Sequence, residues 1–148
     1  MTHILFLCTG NTCRRPMARC LAQEIIARQG LWVTCDSGGL HAAPGAPATP
    51  GAQAAMAARG LSLKEHRAKE VSAAMAKKAD VVLCMTPAHV REFARRFPED
   101  AHKARALSPP VPDPFGGDAA LYLRTAEQLA ALLPPLLKEV SVKKAGDA

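Results

Sequence analysis

The sequence predicts an α/β protein, a three-layer sandwich in which a four-stranded parallel sheet is flanked by helices on both faces. Short apolar runs alternate along the chain with longer segments of helical periodicity, and the connections between them are short. The 148 residues, of which 49% are hydrophobic, are enough for one domain with a substantial core. We therefore expect one domain over residues 1–142 and a frayed C-terminal tail over residues 143–148.

The first half of the chain contains two predicted strands and two predicted helices. The apolar run at residues 4–7 predicts the first strand, and a helix is expected to begin at Pro16, because proline fits the first helical turn. The second strand is predicted at residues 31–35. A loop rich in Pro, Gly and Ala covers residues 42–52, where Thr49 is a suitable cap for a helix that continues to about Arg59.

The second half continues the alternation. A short helix is predicted at residues 72–78, a buried strand at 81–84, a helix at 87–97 and a weak fourth strand at 105–107. The last helix is predicted from Asp118, and Pro134 and Pro135 are expected to kink or restart it. In such a fold a ligand-binding loop lies at the edge formed by the C-terminal ends of the strands.

The loop between the first strand and the first helix, residues 8–14, has the sequence Cys-Thr-Gly-Asn-Thr-Cys-Arg. Gly10 and Asn11 tolerate positive φ, so that successive backbone N–H groups can turn inward and bind an anion. Arg14 offers a planar fork of donors for two phosphoryl oxygens. A helix N-terminus and a nearby cation favour the ionised, nucleophilic form of Cys8. The alternative interpretation of Cys8 is a buried structural cysteine at a strand end.

A thiolate that cleaves a phosphate also needs a proton donor for the leaving group. Residues 111–117, Val-Pro-Asp-Pro-Phe-Gly-Gly, form a loop dense in turn-forming residues, in which Pro114 biases Asp113 toward an extended backbone. We interpret Asp113 as the group that protonates the leaving atom and then acts as base toward water. The alternative is an ordinary turn aspartate.

With these motifs the chain resembles the low-molecular-weight protein-tyrosine-phosphatase family. The resemblance rests on residues 8–14 with 16–18, on residues 113–117 with Tyr122, and on weaker motifs at residues 37–39, 65–67 and 80–86. It implies that residues 1–142 are a cysteine-dependent protein phosphatase domain, in which Cys8 forms a phosphocysteine, Arg14 binds the phosphoryl group and Asp113 is the general acid. The substrate-binding residues implied are Thr9, Gly10, Asn11, Thr12, Cys13, Arg14 and Phe115.

Arg15 departs from the family pattern, which has serine or threonine at this position. In the family that hydroxyl hydrogen-bonds the thiolate sulphur and joins a network with the equivalents of Asn11 and His66. We expect the bulk of Arg15 to direct it toward solvent, Cys8 to remain ionised and the phosphocysteine to be released more slowly. Because Arg15 removes the partner of the family histidine, we interpret His66 as a surface residue. His3, His41, His89 and His102 carry no functional prediction.

Two features resemble the bacterial protein-arginine-phosphatase branch of the family. Thr12 stands where phosphotyrosine-directed members often have an aliphatic side chain that lines the ring slot. Residues 38–44 contain no Trp or Tyr, which leaves Phe115 as the aromatic ring at the mouth of the site. Phosphotyrosine binding gains from ring stacking, so we favour phosphoarginine as substrate and place phosphotyrosine next. The carboxylate of Asp113 could also hold the guanidinium after P–N cleavage.

The cysteine usage and charge limit the protein class. Three of the five cysteines lie in the first 20 residues, which is not the pattern of a secreted disulfide framework, and no zinc pattern is present. By resemblance, Cys13 could shield Cys8 as a reversible disulfide under oxidation. We expect no metal and no cofactor.

The location and partners are predicted from the same composition. The N-terminal apolar run is too short for a signal peptide, and no segment approaches the ~20 apolar residues of a membrane span. The basic residues behind the net charge of +6 are scattered and aromatic residues are only 4%, which argues against nucleic acid. We expect a cytoplasmic monomer with phosphoprotein substrates and no membrane partner.

Three other functions share parts of this pattern. A thioredoxin-coupled arsenate reductase has the same fold and loop, and Cys84 ends a strand as one of its redox cysteines does. It needs a third cysteine several residues later, where this chain has Arg91, so Cys13 or Cys20 would have to substitute. A sugar-transport phosphocarrier domain would not need both Arg14 and Asp113. A non-catalytic phosphate-binding module would retain phosphoprotein without turnover.

Overall fold

Strands and helices alternate along the chain, as the sequence predicts. The computed structural model describes the backbone of residues 1–10 and 14–147 and the side chains of residues 1–10 and 14–141. A 3-10 helix that the sequence analysis did not predict, Pro98–Lys103, follows the fourth helix. The elements in chain order are β1 (Thr2–Cys8), α1 (Arg14–Gln29), β2 (Val33–Gly39), α2 (Pro50–Ala57), α3 (Ala73–Lys78), β3 (Val81–Cys84), α4 (Pro87–Arg96), β4 (Ala104–Ala106) and α5 (Ala119–Asp147).

The sheet has four parallel strands in the order β2-β1-β3-β4, which confirms the predicted architecture. β1 is central and pairs with β2 over its whole length, from Thr2 opposite Val33 to Cys8 opposite Gly39. On its other side Leu7 lies opposite Cys84 of β3. The C-terminal ends of these three strands therefore meet at one edge of the sheet.

Two apolar clusters lie on the two faces of the sheet and hold the helices of the outer layers against it. Successive side chains of β1 point to opposite faces, so its residues divide between the clusters. The first cluster joins β1 to α1, α2 and α5, and includes Ile4, Phe6, Cys8, Met17, Leu21, Met56, Leu129 and Leu133. The second joins β1 and β3 to α3 and α4, and includes Leu5, Leu7, Ala76, Val82, Cys84 and Phe93.

The second strand lies two residues further along the chain than predicted. The apolar run at residues 31–35 favoured an early start, but Trp32 is 69% exposed and precedes the strand. Pairing with β1 extends β2 to Gly39 instead. Small residues suit this end of the strand because a Cβ atom at Gly38 would lie 3.0 Å from the Met75 side chain of α3.

Smaller differences concern element ends. β1 includes Cys8, which we expected in the loop, and α1 begins at Arg14 rather than Pro16. Pro16 still lies in the first turn, where a missing N–H costs no helical hydrogen bond.

The last helix, α5, is one helix from Ala119 to Asp147, and the predicted break at Pro134 and Pro135 does not divide it. Buried leucines before and after the proline pair pack against the same cluster, which holds both halves on one line of contact (Leu129, Leu133 and Leu137). Within the described part of the chain no helix, α5 included, combines the length and apolarity that a bilayer crossing needs.

Candidate active site

Cys8 is the last residue of β1, at the edge where the parallel strands end. Its backbone carbonyl accepts a hydrogen bond from Leu40 N–H (2.8 Å), and the Thr9 carbonyl accepts one from His41 N–H (2.9 Å). These two bonds fix the start of the loop against the segment that follows β2. The Cys8 side chain is only 3% exposed, which would also suit a structural cysteine. The burial of Cys8 therefore fits both interpretations.

The remaining loop residues are only partly described. Thr9 is exposed and Gly10 is half-buried. The residues predicted to shape the phosphate site and its specificity, Asn11, Thr12 and Cys13, lie outside the described residues.

Arg14 begins α1 and is 4% exposed. Its Nη1 donates to the Val111 carbonyl (2.9 Å), and its Nη2 lies 3.7 Å from Oδ2 of Asp113. Its Nε is buried and has no hydrogen-bond partner among the described residues. Since buried donors are nearly always paired, an Nε without a described partner, next to the loop that we expect to bind an anion, is suited to a phosphoryl oxygen.

Asp113 lies 99 positions after Arg14 in the sequence, and the fold places their side chains together. Val111 N–H donates to the Met85 carbonyl (3.1 Å), which ties this loop to the end of β3. The Asp113 carboxylate accepts a hydrogen bond from Phe115 N–H (3.0 Å), a local turn that orients it. Its side chain remains 49% exposed, so it is open to a ligand, and the Phe115 residue beside it is 71% exposed.

Arg15 is buried, and the expectation that it points to solvent is wrong. Its exposed fraction is 0%, and its Nη1 donates to the carbonyls of Phe6 (3.0 Å) and Gly38. The reason is geometric, because successive helix residues are about 100° apart: Arg14 faces the Asp113 loop while Arg15 faces the ends of β1 and β2. The slower release of phosphocysteine that we expected is untested and stays a prediction.

His66 is buried as well, with an exposed fraction of 9%, so its interpretation as a surface histidine is wrong. Together with Pro16 and Arg19 of α1 it lines a cavity of about 170 Å³. Leu63 and Ala68, buried on either side of His66 in the sequence, hold this segment against the body of the protein. In the sequence, the charged neighbours Lys64 and Glu65 had indicated an exposed position for His66.

The sequence analysis missed His89, which lies in the first turn of α4 and is 8% exposed. One ring nitrogen, Nε2, hydrogen-bonds Oγ1 of Thr9 (3.0 Å), and the other, Nδ1, hydrogen-bonds Oγ1 of Thr86 (3.1 Å). Burial, helped by the charges of Arg14 and Arg15, lowers the pKa of His89 to about 4. His89 is therefore a neutral imidazole at physiological pH that joins α4 to the loop. The sequence did offer one indication of this position: His89 follows β3 closely, and β3 ends at the same edge of the sheet as the Cys8 strand.

Cys84 and Cys8 lie on opposite faces of the sheet. Cys84 belongs to the apolar cluster on the α3 and α4 face, whereas Cys8 belongs to the cluster on the α1 and α5 face. Burial raises the pKa of Cys84 to about 12, so it remains a neutral thiol. Both findings disfavour a thiol relay through this residue. In the part of the chain that the structure describes, no group of three or more His, Cys, Asp or Glu side chains could hold a metal ion.

Comparison with known proteins agrees with this geometry. The family model described as low molecular weight phosphotyrosine protein phosphatase matches residues 3–146. A protein-arginine-phosphatase of Bacillus subtilis is 37% identical over 144 residues, which cover 93% of this chain and 95% of the relative. A solved structure of the YwlE arginine phosphatase, a cysteine-to-serine mutant with a phosphorylated active-site serine, is 36% identical with a TM-score of 0.91 and covers 94% of this chain and 95% of its own.

A tyrosine phosphatase is similar to about the same degree. The structure of a low molecular weight protein tyrosine phosphatase from T. tengcongensis has a TM-score of 0.90 and 33% identity, and covers 94% of this chain and 99% of its own. The resemblance inferred from the motifs is confirmed. The chain belongs to the low molecular weight phosphotyrosine protein phosphatase family, and it is a cysteine-dependent phosphatase.

Proposed function

We propose that this phosphatase hydrolyses phosphoarginine in proteins, with phosphotyrosine as a second substrate, and that Cys8, Arg14 and Asp113 carry the reaction. One observation carries the assignment of these roles. A buried arginine with an unpaired Nε and a half-exposed carboxylate lie 3.7 Å apart at the edge of the sheet where the Cys8 strand ends. Such a group of nucleophile, anion binder and acid is what phosphoryl transfer through a cysteine requires.

In the first step the Cys8 thiolate attacks phosphorus, and the bond from phosphorus to the substrate nitrogen or oxygen breaks. Asp113, protonated at this stage, gives its proton to the leaving atom, so that phosphoarginine releases a guanidinium and phosphotyrosine releases a neutral phenol. Arg14 and the backbone N–H groups of the loop stabilise the charge that spreads over the phosphoryl oxygens. The products of this step are a phosphocysteine and a free side chain.

In the second step Asp113, now a carboxylate, takes a proton from water as the water oxygen attacks phosphorus. The S–P bond breaks, the electron pair returns to the sulphur of Cys8, and inorganic phosphate leaves. The exposure of Asp113 suits both steps, because its carboxyl must reach first the leaving group and then water. Arg14 acts in both steps, so its anchoring on the Val111 carbonyl holds it ready throughout.

Three observations support the substrate preference. Phe115 is the one aromatic ring near Asp113 on its own loop, and at 71% exposure it offers little enclosure for a phosphotyrosine ring. Relatives named as protein-arginine-phosphatases are among the most similar proteins. The Asp113 carboxylate can pair with a guanidinium product.

The protein's partners and location belong to the same proposal. We place it in the cytoplasm as a monomer without a nucleic-acid partner, because its cysteines are free thiols in the described part of the chain and its basic residues are scattered. Residues 1–142 form the phosphatase domain in this proposal.

The test offers phosphoarginine and phosphotyrosine peptides at equal concentration to the purified protein. We expect a higher kcat/KM for phosphoarginine, loss of at least about 10³-fold in Cys8→Ser, and loss of about 10²–10⁴-fold in Asp113→Asn. Matched controls are Cys20→Ser and Glu99→Gln, which lie away from the site and should keep full activity. Preference for phosphotyrosine would overturn the substrate choice. Activity retained in Cys8→Ser would overturn the assignment of the nucleophile.

A further inference from the structure

Arg15 is one of the largest fully buried side chains in the described part of the protein. It leaves the first turn of α1 and ends beneath the start of the loop. Its Nη1 donates to the carbonyl of Phe6 in β1 (3.0 Å) and to the carbonyl of Gly38 in β2. The guanidinium thus joins the two strands just before Cys8 and Gly39, the residues that end them.

The charge of Arg15 is not neutralised by a carboxylate. In the described part of the chain, no Asp or Glu oxygen lies within 4.0 Å of its guanidinium, and its Nε and Nη2 are buried without hydrogen-bond partners. Burial is the main cause that lowers the pKa of Arg15 to about 10; the charge of Arg14 acts in the same direction, and Cys8 and Cys84 oppose it. The group therefore remains a cation at neutral pH, in a position where an unpaired charge is unfavourable.

An anion near Arg15 would offset this charge. Cys8 follows Phe6, whose carbonyl binds Arg15, by two residues in β1, and its side chain lies in the apolar cluster on the α1 face. The other titratable groups that act on Arg15 are Arg14 and Cys84. Arg14 has the same sign. Cys84 points to the other face of the sheet and stays a neutral thiol. His89 is also neutral, because burial and the charges of both arginines lower its pKa.

We propose that Arg15 is a positioning residue for the reaction: its buried guanidinium, fixed on the Phe6 and Gly38 carbonyls, supplies the cation that keeps the Cys8 sulphur anionic. It acts where the family places a hydroxyl. The inference rests on the proposed role of Cys8 as nucleophile. The same charge helps in both steps, because the sulphur is an anion before it attacks phosphorus and becomes one again when phosphate leaves.

The experiment compares two substitutions that separate charge from hydrogen bonding. Arg15→Gln keeps an amide donor for the carbonyls but removes the charge, and Arg15→Lys keeps the charge. The rate of alkylation of Cys8 by iodoacetamide is followed against pH, with the modified residue identified by mass spectrometry. We expect the half-maximal pH to rise by about one unit or more in Arg15→Gln and to return toward the wild-type value in Arg15→Lys. The value of kcat should fall in parallel.

A purely structural role for Arg15 predicts another result. Equal displacement of the profile in both variants, or none in a folded Arg15→Gln, would overturn the inference. If Arg15→Gln does not fold, the alkylation profile of the wild-type protein tests the inference instead. A half-maximal pH for Cys8 alkylation at or above that of a free thiol, about 8.5, would also overturn the inference.

Different results would contradict the proposed function and this inference. Absence of phosphatase activity in the unmodified protein would remove the function but leave the alkylation profiles to decide the role of Arg15. Arg15→Ser is a different test, because it restores the family hydroxyl and removes the charge. It addresses the expected slow release of phosphocysteine.

Discussion

At the scale of single residues, two adjacent arginines have different surroundings because they leave α1 in different directions. Arg14 contacts the loop that carries Asp113, and Arg15 contacts the ends of β1 and β2. Both are buried, although arginine is among the residues least often found inside a protein. Both side chains leave the first turn of α1, directly after the loop that the motif predicts to be an anion site.

His89 gives a prediction at this scale. Replacing it with Phe keeps the volume close but removes the hydrogen bonds to Thr9 and Thr86. A lost hydrogen bond is worth about 0.5–1.5 kcal/mol, so we expect kcat to fall by about 2- to 10-fold. Steady-state kinetics with a phosphorylated peptide measure kcat. The matched control is His102→Phe on the exposed 3-10 helix, which should leave kcat unchanged. An unchanged kcat in His89→Phe would show that the loop needs no support from α4.

At the scale of elements, α2 and α5 are locked together by close contact and by a hydrogen bond. Thr49 caps α2 by accepting from Ala52 N–H (3.3 Å), and its hydroxyl also donates to the Tyr122 hydroxyl (3.2 Å). The Tyr122 ring lies directly over Gly51, where a Cβ atom would meet it at 2.4 Å. The glycine is therefore required by packing, since its backbone is an ordinary helical one.

Gly51→Ala should destabilise the protein, although alanine is the better helix former by up to about 1 kcal/mol. The buried Tyr122 ring has little room to move, and overpacking of this kind costs about 1–3 kcal/mol. Urea unfolding monitored by circular dichroism measures the free energy of unfolding. In a Tyr122→Leu background the same substitution should be close to neutral. Equal destabilisation in both backgrounds would mean that the ring is not the cause.

At the scale of the whole molecule, the parallel sheet gathers the site from distant parts of the chain. β1 ends in Cys8, β3 leads into α4 with His89, and the loop with Asp113 is tied to Met85 after β3. Each of these residues lies on a different segment, and the common strand direction brings the segment ends to one edge.

The stability of the fold should decrease in mildly acidic solution. The pKa of His89 is about 4 in the folded protein and 6.5 when unfolded, because burial and the two arginine charges oppose its protonation. Above pH 6.5 both states are neutral at this residue. Between pH 6.5 and about 4 only the unfolded chain binds the proton, so the free energy of unfolding falls by up to about 1.4 kcal/mol per pH unit. The lowered pKa of His3 acts in the same direction.

Urea unfolding at pH values from 7.5 to 4.5 measures this dependence. His89→Gln should flatten the decrease, because glutamine does not titrate, and the residual slope reports His3 and the carboxylates. A wild-type curve with no decrease between pH 6.5 and 4.5 would contradict the lowered pKa of His89.

Local patterns were sufficient for the order of the strands and helices and for recognising the loop motif that the family shares. The apolar run before Cys8, the turn-forming loop and the proline after Arg14 act over a few residues, so they can be recognised without a fold. The prolines around Asp113 likewise made it a candidate acid. These predictions needed only the assumption that a nucleophile, an anion binder and an acid belong together.

Contacts between distant segments decided the rest. Arg15, His66 and His89 were misjudged or passed over because polar residue types indicate exposure, while their burial depends on which segments pack over them. The extent of β2 was set by pairing with β1, and the uninterrupted α5 by packing on both sides of its prolines. The sequence by itself determined the parallel fold, the loop and the reaction class. Only the tertiary structure decided which charges are buried near the end of the strand that carries Cys8, because burial is a property of neighbours that the chain meets only when folded.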